Sequence, residues 1–134
     1  MHEFLHPKGW KPARGYSNGV AATGRMVFTG GMVGWTGDCV FETDDFAGQV
    51  AQALRNIVAV LAEADARPEH IVRLTWYVTD KTEYLANLKA LGAVYKEIIG
   101  RHYPAMALVQ VVALVEDRAK VEIEATAVIP EGRA

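Results

Sequence analysis

The most regular feature of the chain is a pair of segments in which apolar residues recur every three or four positions. That spacing places the apolar side chains on one face of an α-helix. We predict a first helix capped by Thr43, with Asp44 and Asp45 in its first turn, where the helix dipole favours negative charge. A second helix is predicted to open at Asp80 and to end at Gly100. The apolar positions are Phe46, Val50, Leu54, Ile57 and Leu61 in the first helix, and Tyr84, Leu88, Leu91, Tyr95 and Ile98 in the second.

Five further segments have the composition of β-strands. Two short strands flank Thr23 and Gly24. Residues 71–78, which read IVRLTWYV, are rich in β-branched and aromatic side chains. Two more strands, at residues 107–114 and 120–128, close the chain. The resulting order, ββαβαββ, predicts an α+β domain in which two helices cover one face of a sheet through a right-handed crossover.

The last two strands indicate what each face of that sheet contacts. Side chains alternate along a strand, so we expect one set of the last strand to face the helices and the other set to face away. The strand before it is largely apolar on both faces, and Met106 is its first outward position after Pro104 and Ala105. An uncovered face of this mixed character indicates contact with another copy of the chain, so we predict a homo-oligomer. The inward set is Val121, Ile123, Ala125 and Ala127, and the outward set is Lys120, Glu122, Glu124 and Thr126.

Composition narrows the classes of function. The chain has 134 residues, which is enough for one domain spanning residues 1–134. The formal net charge of −2 and the scattered basic residues argue against a nucleic-acid partner, and no apolar run is long enough to span a membrane. Cys39 is the only cysteine, which favours a reducing, cytoplasmic location. The histidines lack metal-ligand spacing, so we predict no metal site.

Several motifs, in the same order and spacing, resemble the Rid superfamily, also called the YjgF-like family. They are GYSNGV, MVFTGGMVGW, RLTWYVTD, YPAM and KVEIEATAV, and together they extend over nearly the whole chain. The resemblance implies a chorismate-mutase-like fold and a homotrimer whose sheets form a central barrel, with clefts between neighbouring subunits. It also implies hydrolysis of reactive enamines and imines to a keto acid and ammonia, without a metal or organic cofactor.

The resemblance also assigns roles to individual residues. Family members grip the substrate carboxylate with an arginine that follows a Pro-Ala pair, but Met106 occupies that position here. The exchange removes a permanent charge and five hydrogen-bond donors. A family glutamine is replaced by Met32, and an asparagine of the second helix aligns with Gly92. The predicted site consists of Glu122 as the catalytic residue and of Tyr16, Gly30, Gly31, Met32, Trp35, Ala105 and Met106 as substrate-binding residues.

Each main candidate has a purely structural alternative. Met106 is either a packing residue or the apolar wall of an altered pocket. Glu122 either positions a hydrolytic water or forms an ion pair with Lys120 or with a neighbouring chain. Tyr16 either contacts a ligand or seals a subunit interface, and Trp35 either forms a pocket rim or packs locally.

The leading functional hypothesis is a divergent, cofactor-free enamine or imine deaminase that acts in inter-subunit clefts. With Met106 in place of the arginine, we expect a substrate such as an aminomuconate rather than a standard 2-imino acid. The alternative is a non-catalytic trimer that binds a small ligand or has a protective role. A ribonuclease activity, which is sometimes attached to relatives, is disfavoured by the missing basic stripe. Arg14 and Arg101 both stay open as replacements for the missing arginine.

Overall fold

The chain folds as a mixed β-sheet with helices on one face, according to a computed structural model that describes residues 2–131. This arrangement confirms the predicted α+β class. The strands are β1 (Glu3–Leu5), β2 (Gly19–Ala21), β3 (Gly24–Phe28), β4 (Met32–Val33), β5 (Ile71–Val78), β6 (Ala105–Gln110) and β7 (Val121–Pro130). The helices are α1 (Phe46–Ala62), α2 (Lys81–Ala86) and α3 (Leu88–Ile98), with a short 3-10 turn at Pro68–His70.

Strand β7 is the centre of the main sheet. It pairs antiparallel with β5 on one side, and with β3 and then β4 on the other. Strand β6 pairs with β5 in parallel, and α2 and α3 lie between these two strands in the chain. A parallel pair needs such a crossover because the chain has to return to the same end of the sheet.

The core lies between the sheet and the helices, and the alternation of β7 builds its floor. Ile123 and Ala127 are fully buried, whereas Glu122 on the opposite face is half exposed. Leu54 and Ile57 of α1 are also fully buried against this floor. Burying each large aliphatic side chain stabilises the fold by about 1.5–3 kcal/mol. The predicted inward face of the last strand is therefore correct.

One polar side chain, Gln49, lies fully buried where α1 meets the start of β7. Its amide nitrogen donates to the carbonyl of Thr43 at 3.1 Å and to that of Arg118 at 3.0 Å. Its amide oxygen accepts from the backbone N–H of Lys120 at 2.8 Å. Gln49 thereby joins the loop before α1 to the loop before β7. Both the nitrogen and the oxygen of its side-chain amide are hydrogen-bonded.

The N-terminal capping residue of α1 differs from the prediction. Asp45, not Thr43, is the cap, and its carboxylate accepts from the backbone N–H of Gly48 at 2.8 Å. The Thr43 hydroxyl accepts from the backbone N–H of Asp45 at 3.0 Å. Thr43 thus shapes the turn that leads into the helix. Asp45 lies three residues before Gly48, at the position from which a side chain can accept from the unpaired backbone N–H groups of the first helical turn.

The second predicted helix is two helices. Asp80 is the N-terminal cap, as predicted, and accepts from the backbone N–H groups of Thr82 and Glu83. The helix breaks at Asn87, whose φ of −117° and ψ of 17° are not helical. The Asn87 side chain donates to the carbonyl of Glu83 at 2.7 Å, which offers the backbone an alternative to continuous helix. Gly100 follows the end of α3 with a φ of 95°, a conformation that favours glycine.

Strand pairing near the N-terminus was not foreseen. The two short strands around Gly24 do not pair with each other. β2 pairs with β1 in a separate two-stranded sheet, and β3 pairs with β7 instead. The short strand β4 within the glycine-rich loop was missed as well.

The ends of the last two strands also differ from the prediction. β6 ends at Gln110, not at residue 114, and the Gln110 side chain accepts from the backbone N–H of Lys81 at 2.8 Å. Val112 beyond it is fully exposed. Lys120 precedes β7, and its Nζ forms an ion pair with Glu83 at 3.1 Å. Lys120 therefore does not belong to the outward set of the last strand.

Replacing Gln49 by leucine should lower the free energy of unfolding by about 3 kcal/mol, because it leaves two carbonyls and one N–H at part-buried positions without partners. Chemical denaturation measures this change. The neighbouring Gln52→Leu is the control, with an expected loss below about 1 kcal/mol, because Gln52 is only half buried and bonds to one side chain. Equal losses for the two variants would contradict the bridging role of Gln49.

Candidate functional site

A cavity of about 470 Å³ lies between the helices α2 and α3 and the helix-covered face of the sheet. It contains two of the predicted site residues, Tyr16 and Met106, and the position Gly92 that departs from the family pattern. Its mouth is formed by the segment before β2. The full lining is Arg14, Gly15, Tyr16, Trp76, Tyr84, Leu88, Leu91, Gly92, Tyr95, Tyr103, Met106 and Leu108.

Met106 points towards the helices, not outwards as predicted. Its partner in the parallel pairing of β5 and β6 is Leu74, which is fully buried. Paired residues of neighbouring strands share a face, so Met106 lies on the helix-covered face with Leu74. Its side chain is half buried and packs against the core. Met106 therefore forms an apolar wall of the cavity.

Tyr16 is placed beside Met106 by an anchored loop. The backbone N–H of Ser17 donates to the carbonyl of Pro104 at 3.0 Å, and the Ser17 hydroxyl donates to the carbonyl of Tyr103. Ser17 also forms a parallel bridge with Ala105. Ala105 is buried, and its side chain lies on the other face of β6 from Met106. Ala105 thus holds the loop in place, while Tyr16 is left 44% exposed at the mouth.

Stacked phenol rings form the inner wall. The rings of Tyr95 and Tyr103 stack with centroids 5.4 Å apart and an interplanar angle of 15°. The Tyr95 hydroxyl donates to the carbonyl of His102, which secures the turn before β6. Burial, with a smaller contribution from Tyr103, raises the pKa of the Tyr95 phenol well above its ordinary value of 10.0. Burial also raises the pKa of Tyr84, so both phenols stay neutral near pH 7.

Glu122 lies on the opposite face of the sheet from the cavity. Its partners are Tyr77 on β5 and Val33 on β4. A methyl group built on Gly31 would lie 2.0 Å from Oε2 of Glu122, so the carboxylate rests against the bare backbone of Gly31. Gly30 beside it is exposed, and a methyl group there would meet nothing within 4 Å. The structure therefore brings Glu122 and the two glycines together, but not with Met106.

The remaining predicted residues lie elsewhere. Met32 pairs with Ile123 on the helix-covered face and packs against the core. The carbonyl of Trp35 accepts from the side chain of Asn56 in α1 at 2.7 Å, and its ring lies 5.6 Å from that of Phe41. Neither Met32 nor Trp35 lines the cavity. Trp35 packs locally in this chain.

The ion pair that offered a structural role for Glu122 is not formed within the chain. Lys120 pairs with Glu83 instead, and among residues 2–131 no ion pair includes Glu122. Glu124 lies on the same face, opposite Thr75 of β5, and both glutamates are half exposed. Within residues 2–131, the carboxylate of Glu122 therefore has no ion-pair partner.

Comparisons with known proteins identify the family. A family model described as endoribonuclease L-PSP matches residues 7–129. A RutC family protein of Aquifex aeolicus is 33% identical over 97 residues, which cover 72% of this chain and 74% of that protein. The chain belongs to the Rid superfamily. The Rid family protein YyfB from Yersinia pestis, of unknown function, shares its fold with a TM-score of 0.85 and 30% identity, covering 96% of this chain and 98% of that one.

Other Rid-type relatives have a named activity or a solved structure. The 2-iminobutanoate/2-iminopropanoate deaminase of Salmonella typhimurium is 31% identical over 108 residues, covering 78% of this chain and 80% of that protein. The YjgF gene product from E. coli has a TM-score of 0.67 and 31% identity, over 84% of this chain and 87% of that one. These matches confirm the family recognition made from the motifs and the chorismate-mutase-like fold.

Sequence reasoning missed several residues that line the cavity of this Rid domain. Trp76 was predicted only as part of the strand at residues 71–78, and Tyr84 and Leu88 only as part of the apolar face of a helix. Trp76 lies on the core face next to Leu108 of β6, at the edge where the cavity begins. To predict that these residues line a cavity, the pairing of β5 with β6 has to be known, and no local sequence pattern shows that pairing. Of the two arginines left open, Arg14 lines the cavity and Arg101 does not.

Neither a metal-binding cluster nor a membrane-spanning helix is found in the described part of this Rid domain. Within residues 2–131, no group of three histidine, cysteine or acidic side chains is placed to hold a metal ion. In the same part of the chain, no helix is both long and apolar enough to cross a membrane.

Tyr95→Phe should lower the free energy of unfolding by about 1 kcal/mol at pH 7, through the lost hydrogen bond to His102. The pKa of the phenol is raised in the folded state, so its stabilising effect is present below pH 10 and is lost as the pH rises above 10. Denaturation at about pH 8 and about pH 11 should therefore show a smaller difference between the two proteins at the higher pH. A difference that is constant or grows with pH would contradict the raised pKa.

Proposed function

We propose that this protein is a cofactor-free hydrolase of the Rid type that acts on a reactive enamine or imine. The observation that carries the proposal is the position of Glu122, whose carboxylate rests against Gly31 without an ion-pair partner among residues 2–131. A carboxylate held there can orient and deprotonate water. The relative named 2-iminobutanoate/2-iminopropanoate deaminase supports the same class of reaction.

The proposed reaction needs only proton transfers. An enamine first takes up a proton at carbon and becomes an iminium ion. Water adds to the iminium carbon and gives a proton to Glu122. The carbinolamine then collapses as that proton passes to the departing nitrogen, so a ketone and ammonium are released and Glu122 is restored. The balance is one water consumed for each C=N bond cleaved.

The proposed site is assembled between subunits of a homotrimer. Within one chain, the cavity and Glu122 lie on opposite faces of the sheet, so a substrate in the cavity does not reach its own Glu122. The face that carries Glu122 also exposes Met26, Phe28 and Val109, with Phe28 64% exposed. Such apolar side chains favour association with a second copy. In the proposed trimer, the cavity of one subunit faces Glu122 and Gly31 of its neighbour.

The substrate is proposed to differ from that of the named deaminase. Met106 occupies the position that the family resemblance assigns to an arginine, and it contributes an apolar wall and no cation. A small 2-imino acid depends on such a cation for its carboxylate. We therefore propose a larger enamine or imine, with aminomuconate-type compounds as one class. The name of the family model suggests a ribonuclease, but the net charge of −2 gives no support to RNA binding.

Glu122→Gln should lower the rate of ammonia release from an in situ generated imine by about a hundredfold or more, because the variant cannot accept a proton. Gly31→Ala should lower it by about tenfold or more, because its methyl group displaces the carboxylate. Gly37→Ala is the control and should stay within about twofold, since Gly37 lies outside the proposed site and its methyl group would meet nothing within 4 Å. Equal rates for the two alanine variants would contradict the role of Glu122 at Gly31.

The same assay with Met106→Arg separates the two functional hypotheses. Release from a small 2-imino acid by the variant, but not by the natural protein, would mean that the hydrolytic site is intact and only the clamp is absent. Release by the natural protein would support the reaction class and contradict the proposed shift of substrate. If neither protein releases ammonia from small or large imines, the hydrolase proposal fails and a ligand-binding trimer remains.

Phe28→Asp should dissociate the proposed trimer, because it places a charge in the buried contact. Size-exclusion chromatography with light scattering should give three chains of 14.7 kDa each for the natural protein and a smaller mass for the variant. Leu85→Asp is the control, since Leu85 is similarly exposed but lies on α2, away from the open face. A natural protein that runs as a monomer would contradict the shared site.

A further inference from the structure

We propose that the cavity binds the ring or other bulky apolar part of a carboxylate ligand, and that Arg14 is the cation that binds its acid group. This inference rests on the proposed function in one respect only, since it names a ring acid as the substrate class for the same site, in place of the open-chain aminomuconates. Binding itself does not depend on the hydrolytic step, so it can be tested separately.

The walls of the cavity favour a ring. Trp76 and Tyr84 meet edge to face with ring centroids 6.4 Å apart, and Tyr95 and Tyr103 stack on the other side. Leucine side chains and Met106 complete the apolar lining. A volume of about 470 Å³ is in the range of sites that hold ligands larger than a two- or three-carbon acid. A small acid would leave most of this apolar surface in contact with water.

The charge of the lining favours an acid. Among the described residues, Arg14 is the only lysine or arginine that lines the cavity, and no aspartate or glutamate of residues 2–131 lines it. Within residues 2–131, Arg14 forms no ion pair, so its guanidinium is available. It lies in the same anchored loop as Tyr16, at the mouth, whereas Arg101 does not line the cavity. An exposed cation at the mouth and apolar walls inside match a ligand whose acid group stays near solvent.

An unsatisfied donor indicates an acceptor on the buried part of the ligand. The indole Nε1–H of Trp76 is buried and has no hydrogen-bond partner among the described residues, and the side chain is only 5% exposed. A buried donor without a partner is unfavourable unless a ligand or water supplies an acceptor. Tyr84, kept neutral by its raised pKa, is a further hydroxyl donor in the same wall. The proposed ligand is a ring acid, and an oxygen or nitrogen acceptor on its ring would satisfy the Trp76 donor.

Titration calorimetry with three probes tests this inference in the full protein. 3-Phenylpropanoate carries ring and acid, 3-phenylpropanamide carries the ring without charge, and propanoate carries the acid without the ring. We expect 3-phenylpropanoate to bind about tenfold more tightly than either of the others. Arg14→Met should weaken binding of 3-phenylpropanoate about tenfold and leave 3-phenylpropanamide within about twofold. Arg101→Met is the matched control and should change neither.

Four results would overturn the inference. They are equal binding of propanoate and 3-phenylpropanoate, no binding of any probe, an unchanged affinity in Arg14→Met, and an equal loss in Arg101→Met. The proposed function fails separately. A protein that binds 3-phenylpropanoate through Arg14 but releases no ammonia from any imine supports this inference and contradicts the hydrolase. A protein that hydrolyses imines but binds none of the probes contradicts this inference alone.

Discussion

Because β7 pairs with three other strands, the direction in which each of its side chains points determines what both faces of the sheet contain. From Val121 to Ala127, every second residue of β7 is apolar and buried under the helices, and those residues form the floor of the core. The residues between them have to face the other way, since successive side chains of a strand alternate. Glu122 is thus kept out of the core by the same alternation that buries Ile123, and one strand carries both the main packing surface and the candidate catalytic group.

This alternation separates the candidate site into two parts within one chain. Met106 lies with Leu74 under the helices, whereas Glu122 lies with Tyr77 on the open face. Neither part is complete alone, because no aspartate or glutamate of the described residues lines the cavity and Glu122 does not border it. The exposed apolar side chains beside Glu122 make self-association the simplest way to join the two parts. Activity and assembly would then depend on the same surface.

The cavity also differs in chemistry from the site that the family resemblance implies. Where a cation would hold a small acid, Met106 and a set of aromatic rings form an apolar volume. Arg14, the one lysine or arginine of residues 2–131 in the lining, comes from the N-terminal loop and not from β6. In the proposed site, the changed position of the cation and the wider apolar space would select a longer ligand over a shorter one. Glu122, the candidate catalytic group on the other face, would not have to change for this shift.

Local chemistry in the sequence was sufficient to predict the bounds of β5, the cap at Asp80, the stop at Gly100 and the buried face of β7. Each of these follows from neighbours within a few residues, through side-chain alternation, capping or a positive φ. The sequence motifs also identified the family. Tertiary structure alone decided the pairing of β1 with β2, the ion pair of Lys120 with Glu83, and the opposite faces of Met106 and Glu122. These depend on strand register and on contacts between residues far apart in the chain, where one step of register turns a side chain from one face to the other.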